Sequence, residues 1–151
     1  MMIRVRDAYP ADAEWMSDNT EGWTVTAQEQ QGAASLDGAL HALIAYAPRQ
    51  GARVGWLYSS ARGAPGDGAG YVSLYELYVA PDFRGVGVAR ALVEELFARV
   101  PDQEIVLSAW DRALYEMWLS LGFTYVPAPG ERPGQRGHHG DMVRPQVKPW
   151  S

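Results

Sequence analysis

The sequence predicts a single α/β domain in which strands and amphipathic helices share one core. The chain has 151 residues, of which 47% are hydrophobic, and a length near ~150 residues is typical of one domain with a sizeable core. Apolar, β-prone runs occupy much of residues 41–79, and a run with helical spacing follows at 86–100. We therefore expect residues 1–151 to form one domain.

The composition argues against several functional classes. The net charge of -5 disfavours a nucleic-acid-binding protein, because such proteins bind phosphates through basic surfaces. The absence of cysteine removes disulfides, thiolate metal ligands and cysteine nucleophiles. No signal-peptide pattern opens the chain, and the longest apolar run, Ala42–Ala47, is far shorter than the ~20 residues that span a bilayer. We expect a cytoplasmic protein with no membrane or nucleic-acid partner.

The first half of the chain predicts strands separated by turns. Ile3–Arg6 alternates apolar and charged residues as a half-buried strand does, and Pro10–Glu14 is typical of the start of a helix. Residues 20–38 predict a short helix flanked by loops. His41–Ala47 and Arg53–Tyr58 are β-prone and lie on either side of a turn that contains proline and glycine, so they predict a hairpin.

The second half predicts alternating strands and helices. The glycine-rich stretch 62–70 predicts a loop, and Tyr71–Val79 predicts a strand that ends before the break at Pro81–Gly85. The remaining predicted elements are a helix over Val86–Val100, a strand over Glu104–Ser108, a helix from the capping residue Asp111 to Leu121, a loop over 127–140 and a last strand over 141–147.

A glycine-containing turn between a strand and a helix is the most informative feature. Gly85 and Gly87 precede the predicted middle helix, where they would let a ligand approach the backbone closely. The first N–H groups of a helix have no acceptor within it and favour anions, and Arg84 and Arg90 add positive charge. The turn therefore predicts a phosphate site. A tight turn without a ligand is the alternative that this pattern leaves open.

The spacing decides between types of phosphate site. A P-loop requires a lysine after its second glycine, and the only lysine is Lys148, so a P-loop is excluded. A dinucleotide fingerprint requires a third glycine where Arg90 stands, and two βαβαβ halves that this chain is too short to hold. Asp111, about twenty residues downstream, is the one feature that favours a dinucleotide site.

These residues resemble the GNAT superfamily of acetyl-CoA-dependent N-acetyltransferases. Arg84–Ala89 fits the pyrophosphate motif of that family, Gln/Arg-x-x-Gly-x-Gly/Ala, and Leu77–Phe83 is similar to its fourth strand and the following turn. Leu119–Phe123 resembles the Leu-Gly-Phe signature that closes the fourth helix of the family. The resemblance implies a central, mostly antiparallel mixed sheet with helices on both faces and with splayed strands 4 and 5.

The resemblance also implies where acetyl-CoA binds. Backbone groups of Leu77, Tyr78 and Val79 would bind the pantetheine arm, and one strand N–H would polarise the thioester carbonyl. The residues expected to hold the pyrophosphate are Arg84, Gly85, Val86, Gly87, Val88 and Ala89, with Arg90 nearby. The implied reaction is acetyl transfer to a primary amine, from a small molecule or a peptide, in a ternary complex. No metal is implied.

Glu76 is the candidate general base, because it is the only carboxylate in the predicted strand Tyr71–Val79. A free alkyl amine has a pKa near ~10 and is mostly protonated at neutral pH, so the acceptor must lose a proton before it attacks. Alternation places Glu76 on the face opposite Leu77 and Val79. The alternative is an edge or solvent-facing position without a catalytic role.

The family usually carries a tyrosine where this sequence has Trp118, and that tyrosine protonates the departing thiolate. An indole N–H donates a hydrogen bond but is no usable proton source, so Trp118 is predicted to contact the cofactor only. Tyr115, one helical turn earlier, is the candidate acid. Two alternatives stay open: water or no acid at all, and a non-catalytic acyl-CoA-binding module of the same fold.

Some other residues have weaker signals. His138 and His139, near Asp141, lack rigid metal-ligand spacing, so the sequence predicts a solvated or substrate-contacting loop and no metal site. Trp15 and Trp23 favour core packing over an acceptor pocket. Exposed strands at the C-terminal end are compatible with a homodimer.

Overall fold

The computed structural model describes residues 2–19, 39–62, 70–108, 112–127 and 141–145. The chain divides into two compact units. The first unit consists of Met1–Ala61 and Leu74–Val100, and the second unit consists of Arg62–Ser73 and Pro101–Ser151. The described helices and strands are β1 (Arg4–Asp7), α1 (Ala13–Asp18), β2 (His41–Ala47), β3 (Ala52–Arg62), β4 (Tyr71–Val79), α2 (Val88–Arg99), β5 (Ile105–Ser108), α3 (Arg112–Ser120), β6 (Thr124–Val126) and β7 (Asp141–Arg144). Single 3-10 turns precede α1 at Pro10–Asp12 and follow β4 at Pro81–Phe83.

Within the described residues, seven strands form one sheet in which hydrogen-bonded neighbours follow the order β1-β2-β3-β4-β5-β7-β6. The pairs β1–β2, β2–β3, β5–β7 and β6–β7 are antiparallel, whereas β4 and β5 run parallel. The parallel pairing comprises Val72 with Ile105 and Ser73 with Val106, a short contact for a nine-residue β4. The mixed, mostly antiparallel sheet confirms the predicted fold class, and the short β4–β5 pairing is consistent with splayed strands.

In the first unit, α1 and α2 cover opposite faces of the strands. A Cβ on Gly55 would lie 2.9 Å from Cγ1 of Val88 in α2, so Gly55 faces that helix. The next residue, Trp56, is fully buried in a cluster with Met16 of α1. Successive residues of a strand point to opposite faces, which places the two helices on opposite sides.

A buried carboxylate joins β1, the first 3-10 turn and β3. Asp12 is 1% exposed and accepts hydrogen bonds from Arg6 (Nη1 to Oδ2, 2.7 Å), from the N–H of Tyr9 (2.7 Å) and from Nε of Arg53 (2.8 Å). Burial alone would raise the pKa of Asp12, but the hydrogen bonds from Arg6, Tyr9 and Arg53 outweigh it and lower the pKa to about 2. The guanidinium carbon of Arg53 also lies 5.8 Å from the ring centroid of Trp15.

The second unit builds its core from the end of α3 and the strands around it. Trp118 stacks edge-on against Phe123, with ring centroids 5.3 Å apart, and the N–H of Phe123 donates to the carbonyl of Trp118 (3.1 Å). Arg144 of β7 donates to the carbonyls of Pro101 (3.4 Å) and Gln103 (3.0 Å). These bonds connect β7 to the residues that precede β5.

Most predicted elements are confirmed, and the differences have local causes. The middle helix begins at Val88, two residues later than predicted, because Gly87 has a left-handed φ of 93° that an α-helix does not accept. β3 continues four residues past Tyr58 to Arg62. β6 was not predicted, since Thr124–Val126 is only three residues long and no alternation is visible over that length.

Several predictions lie outside the described residues. They are the helix and loops over 20–38, the loop over 63–69, the capping residue Asp111, and the loop over 128–140 with His138 and His139. Within the described part of the chain, every helix is too short or too polar to cross a membrane.

Candidate functional site

Glu76 lies at a buried position in β4. Burial alternates along the strand from Tyr71 to Val79, and Glu76 is one of the buried residues, with 8% of its surface exposed. The solvent-facing alternative for Glu76 is therefore wrong, because the carboxylate is held within the unit rather than in bulk water.

The end of β4 is held by close contacts on both faces. Tyr78 is buried, and its ring stacks edge-on against Trp15 of α1 with centroids 6.2 Å apart. Its hydroxyl donates to Oδ1 of Asn19 at 3.5 Å. On the opposite face, a Cβ on Gly55 would lie only 2.6 Å from the carbonyl oxygen of Tyr78. Trp15 thus packs against the core as predicted, and only glycine allows β3 to approach Tyr78 so closely.

The turn from Arg84 to Gly87 has the backbone that the sequence predicts for an anion site. Gly85 and Gly87 both have left-handed φ angles, 79° and 93°, which favour glycine. Apart from the adjacent residues of the chain, no atom of the part that the structure describes lies within 4 Å of the position that a Cβ would occupy at either glycine. The backbone of the turn is therefore open, and Gly87 forms the N-cap of α2 without a capping side chain.

The first N–H groups of helix α2 lie next to this turn. The bond from the N–H of Ala91 to the carbonyl of Gly87 (3.0 Å) marks the first turn of the helix, whose N–H groups carry its partial positive charge. Arg84 is exposed, and its Nε donates to the carbonyl of Val79 at 3.1 Å. Arg90 is exposed and pairs with Glu94 one turn later (3.4 Å). The positive end of the helix and two guanidinium groups occupy one short segment, which suits an anionic ligand.

The two candidates on α3 differ in burial. Trp118 is 5% exposed and packs on Phe123. Tyr115, three residues earlier, is half-buried and stacks edge-on against Tyr125 with centroids 5.6 Å apart. Trp118 thus has a packing role in its own unit, whereas Tyr115 keeps part of its surface accessible.

No metal centre is built by the residues that the structure describes, where no three His, Asp or Glu side chains group closely enough to hold an ion. His138, His139, Trp23 and Asp111 lie outside those residues.

Two polar residues near β4 were not predicted from the sequence. The side-chain Nδ2 of Asn19 donates a hydrogen bond to the backbone carbonyl of Trp15 (2.8 Å). The backbone carbonyl of Asn19 accepts a hydrogen bond from Nε1 of Trp56 (2.5 Å). Ser60 of β3 has a buried hydroxyl that finds no hydrogen-bond partner in the described structure. A single asparagine or serine has no sequence signature, so neither could be found before the strands were placed side by side.

Comparison with known proteins places the chain among acetyltransferases. The acetyltransferase (GNAT) family model matches residues 6–123, a span that contains β4, the glycine turn and α3. No curated protein matches the sequence significantly.

Similar solved structures cover 95–100% of this chain. A histone acetyltransferase HPA2 and related acetyltransferase from Corynebacterium glutamicum shares 19% identity with a TM-score of 0.74 over 100% of both chains. A GNAT superfamily phosphinothricin acetyltransferase from Sinorhizobium meliloti, in complex with AcCoA, shares 22% identity with a TM-score of 0.70 over 97% of this chain and 89% of that one. A GCN5-related N-acetyltransferase from Kribbella flavida shares 26% identity with a TM-score of 0.65 over 95% and 97%.

Proposed function

Because this chain belongs to the GNAT family of acetyltransferases, we propose that it is an N-acetyltransferase that moves the acetyl group of acetyl-CoA to a primary amine in a ternary complex. The acceptor is a small-molecule or peptide amine, and no covalent enzyme intermediate forms. The proposal treats residues 1–151 as one cytoplasmic domain that acts without nucleic acid or membrane. Two of the similar structures support the chemistry, since one is called an N-acetyltransferase and another holds AcCoA.

The observation that carries this proposal is the open turn at the start of α2. Gly85 and Gly87 adopt left-handed φ angles, and among the described residues only their chain neighbours lie within 4 Å of the position of a Cβ, so a pyrophosphate has room to reach the backbone amides. We propose that the cofactor-binding residues are Leu77, Tyr78, Val79, Arg84, Gly85, Val86, Gly87, Val88, Ala89, Arg90 and Trp118. The β4 residues bind through their backbone, and the two arginines balance the phosphate charge.

The chain's own groups provide proton transfer and polarisation. Bound acetyl-CoA supplies an activated acetyl thioester, which a neutral amine attacks directly. Glu76, buried in β4, accepts the proton that the acceptor ammonium must lose, directly or through water. A β4 backbone N–H polarises the thioester carbonyl, a contribution typically worth ~2.7–4 kcal/mol. Tyr115 donates a proton to the departing sulfur as the C–S bond breaks, and the second proton that the nitrogen loses on amide formation passes through water and restores the Tyr115 hydroxyl.

One observation favours a second candidate, a non-catalytic acyl-CoA-binding module. Trp118 replaces the tyrosine that the family uses as its acid, and its ring is buried against Phe123, where it can transfer no proton. If Tyr115 fails to supply the proton, the chain could retain the cofactor site without efficient transfer. Both candidate functions predict that CoA binds, but only the N-acetyltransferase predicts turnover.

A turnover assay separates the two candidates. The full chain is incubated with acetyl-CoA and a panel of primary amines, amino-acid amides and short peptides, and the free thiol is measured with dithionitrobenzoate. We expect thiol release that depends on one class of amine, with a mass increase of that amine. Calorimetric binding of CoA without thiol release under any amine would support the binding module instead.

A matched pair of variants tests the cofactor site. Gly87→Glu introduces a Cβ at a φ of 93° and a negative charge beside the proposed pyrophosphate, so CoA affinity should fall at least about 100-fold. Gly51→Glu, in the β2–β3 turn, has the same charge and a comparable φ of 63°. It should lose stability but keep CoA affinity. Equal affinity of both variants for CoA would show that the phosphates bind elsewhere.

A further inference from the structure

We propose that Arg53 is the centre of an oxyanion-binding site on the face of the sheet that α1 covers. The ligand is a small molecule with a carboxylate or phosphate group, which the outer N–H groups of the guanidinium bind through two parallel hydrogen bonds. This inference goes beyond the proposed acetyl transfer, because it uses none of the residues assigned to that reaction.

An irregularity in the β2–β3 pairing brings Arg53 to this face. The register shifts by one residue after Ala45, so that Tyr46 lies opposite Arg53 and Val54 is an extra residue in β3. Such β-bulges re-aim side chains. At this position Nε of Arg53 donates to Oδ1 of Asp12 (2.8 Å), and the guanidinium carbon lies 5.8 Å from the centroid of the Trp15 ring.

The guanidinium of Arg53 is anchored, but only one of its donors is used. An arginine has five N–H donors, and the bond to Asp12 occupies the one on Nε. Within the described part of the chain, the N–H groups on Nη1 and Nη2 have no hydrogen-bond partner, and 37% of the side chain is exposed. Asp12 has no capacity left for them, because its two oxygens already accept two bonds from Arg6, one from Tyr9 and one from Arg53.

Positive charge is in excess around this guanidinium. Asp12 supplies one negative charge to the two guanidinium groups of Arg6 and Arg53. On the other side of β2, Arg4 lies opposite Tyr46 and is exposed. Because residues directly opposite one another in antiparallel strands share a face, Arg4 and Arg53 lie on either side of Tyr46. The whole chain has a net charge of -5, so this excess is local, and it favours an anion at this place.

The geometry defines the chemistry of the ligand. The outer N–H groups of a guanidinium form a planar fork that matches two oxygens of a carboxylate or a phosphate. The bond to Asp12 fixes the direction of the fork in Arg53, so little freedom is lost on binding. The rings of Trp15 and Tyr9 lie beside the guanidinium groups of Arg53 (5.8 Å) and Arg6 (4.6 Å). Aromatic rings exclude water from that side, which strengthens the attraction for an anion.

The test measures anion binding in the full chain saturated with CoA, so that the proposed pyrophosphate turn is already occupied. Calorimetric titrations with inorganic phosphate and with succinate are compared with sodium chloride at the same ionic strength. In parallel, the 15N–1H signal of Nε in Arg53, identified by its absence from Arg53→Lys, is followed during each titration. If CoA fails to bind, the proposed function falls, and the same titrations are carried out on the free chain.

The variants separate the fork from the charge. Arg53→Gln keeps a donor for Asp12 but removes the charge and the fork, so the affinity for the anion should fall at least about 10-fold. Arg53→Lys keeps the charge without the fork and should weaken binding by a smaller factor. The control is Arg49→Gln, an equal change of charge at an exposed residue in the β2–β3 turn, which should keep the affinity within about 2-fold. Every variant is titrated well below its melting temperature.

We expect saturable binding of phosphate or succinate together with a shift of the Arg53 signal. Tighter binding of phosphate would favour phosphate esters as ligands, tighter binding of succinate would favour carboxylic acids, and both support the site. Binding no tighter than that of chloride, unchanged affinity in Arg53→Gln, or an Arg53 signal that stays in place at saturation would overturn the inference. Equal weakening in Arg53→Gln and Arg49→Gln would also overturn it, because the anions would then respond to net charge alone.

Discussion

Asp12 provides a prediction whose magnitude follows from the structure. Its carboxylate is almost fully buried and accepts three kinds of donor, the guanidinium groups of Arg6 and Arg53 and the amide of Tyr9. The change Asp12→Asn removes the negative charge while the side chain keeps nearly the same shape. We expect this variant to fold and to be less stable at neutral pH, because two arginines then face an uncharged amide.

The loss can be estimated from the pKa of Asp12. Hydrogen bonds lower it from 3.8 to about 2, and at about 1.4 kcal/mol per pKa unit the ionised group contributes about 2.5 kcal/mol to the free energy of unfolding. Because the folded-state pKa lies below the unfolded value, this contribution is fully present above pH ~5 and is lost as the pH falls through 3.8 towards 2. Asp12→Asn lacks the titrating group and should show no such loss.

Urea denaturation of both proteins between pH 7 and pH 3 measures this difference. The gap in unfolding free energy should be about 2–2.5 kcal/mol at pH 7 and should narrow as the pH falls. Asp7→Asn is the control: Asp7 pairs with Arg99 but its side chain is 64% exposed, so the loss should stay below about 1 kcal/mol. A gap for Asp12→Asn that is the same at pH 7 and pH 3 would refute the reasoning, since the loss would then be unrelated to charge.

Three further variants test the proposed site. Glu76→Gln should lower kcat/KM by about 100-fold or more, with unchanged calorimetric CoA affinity; an unaffected kcat/KM would assign the base elsewhere. Tyr115→Phe should slow turnover without weakening CoA binding, and an unaffected rate would remove Tyr115 as the acid. Gly55→Ala puts a Cβ 2.6 Å from the carbonyl of Tyr78, so urea denaturation should show a loss of about 1–3 kcal/mol, and CoA affinity should fall with it; a fully stable variant would contradict the close approach.

Elements with strong local signals could be predicted from the sequence. Tyr71–Val79 has the same bounds in the prediction and in the structure, because β-branched and aromatic residues fill it and turn residues flank it. The extension of β3 to Arg62 could not be predicted, since Ser59, Ser60 and Ala61 have little strand propensity. Pairing with neighbouring strands holds them in the sheet, and such tertiary context overrides local preference.

Some features of the candidate site could likewise be predicted from adjacent residues, whereas others depend on contacts between distant parts of the chain. The turn at Gly85 and Gly87 was predictable because all of its residues are adjacent in the sequence and the required φ angles favour glycine. The burial of Glu76 and the orphaned hydroxyl of Ser60 depend on strands that meet only in the fold. Gly55 is a similar case, since its need for glycine comes from Tyr78 and Val88, which lie more than twenty residues away.

The contacts around the end of β4 hold the backbone of the proposed cofactor site in place. Tyr78 is packed by Trp15 on one face and approached by Gly55 on the other, and the next carbonyl, that of Val79, accepts from Arg84. Arg84 thereby ties the last residue of the strand to the turn that opens α2. Backbone groups held in this way lose little freedom on binding, so the affinity for a cofactor is reduced less by the entropy of ordering. Removing the Arg84 side chain should therefore weaken CoA binding beyond the loss of one positive charge, because the strand end and the turn would no longer be tied together.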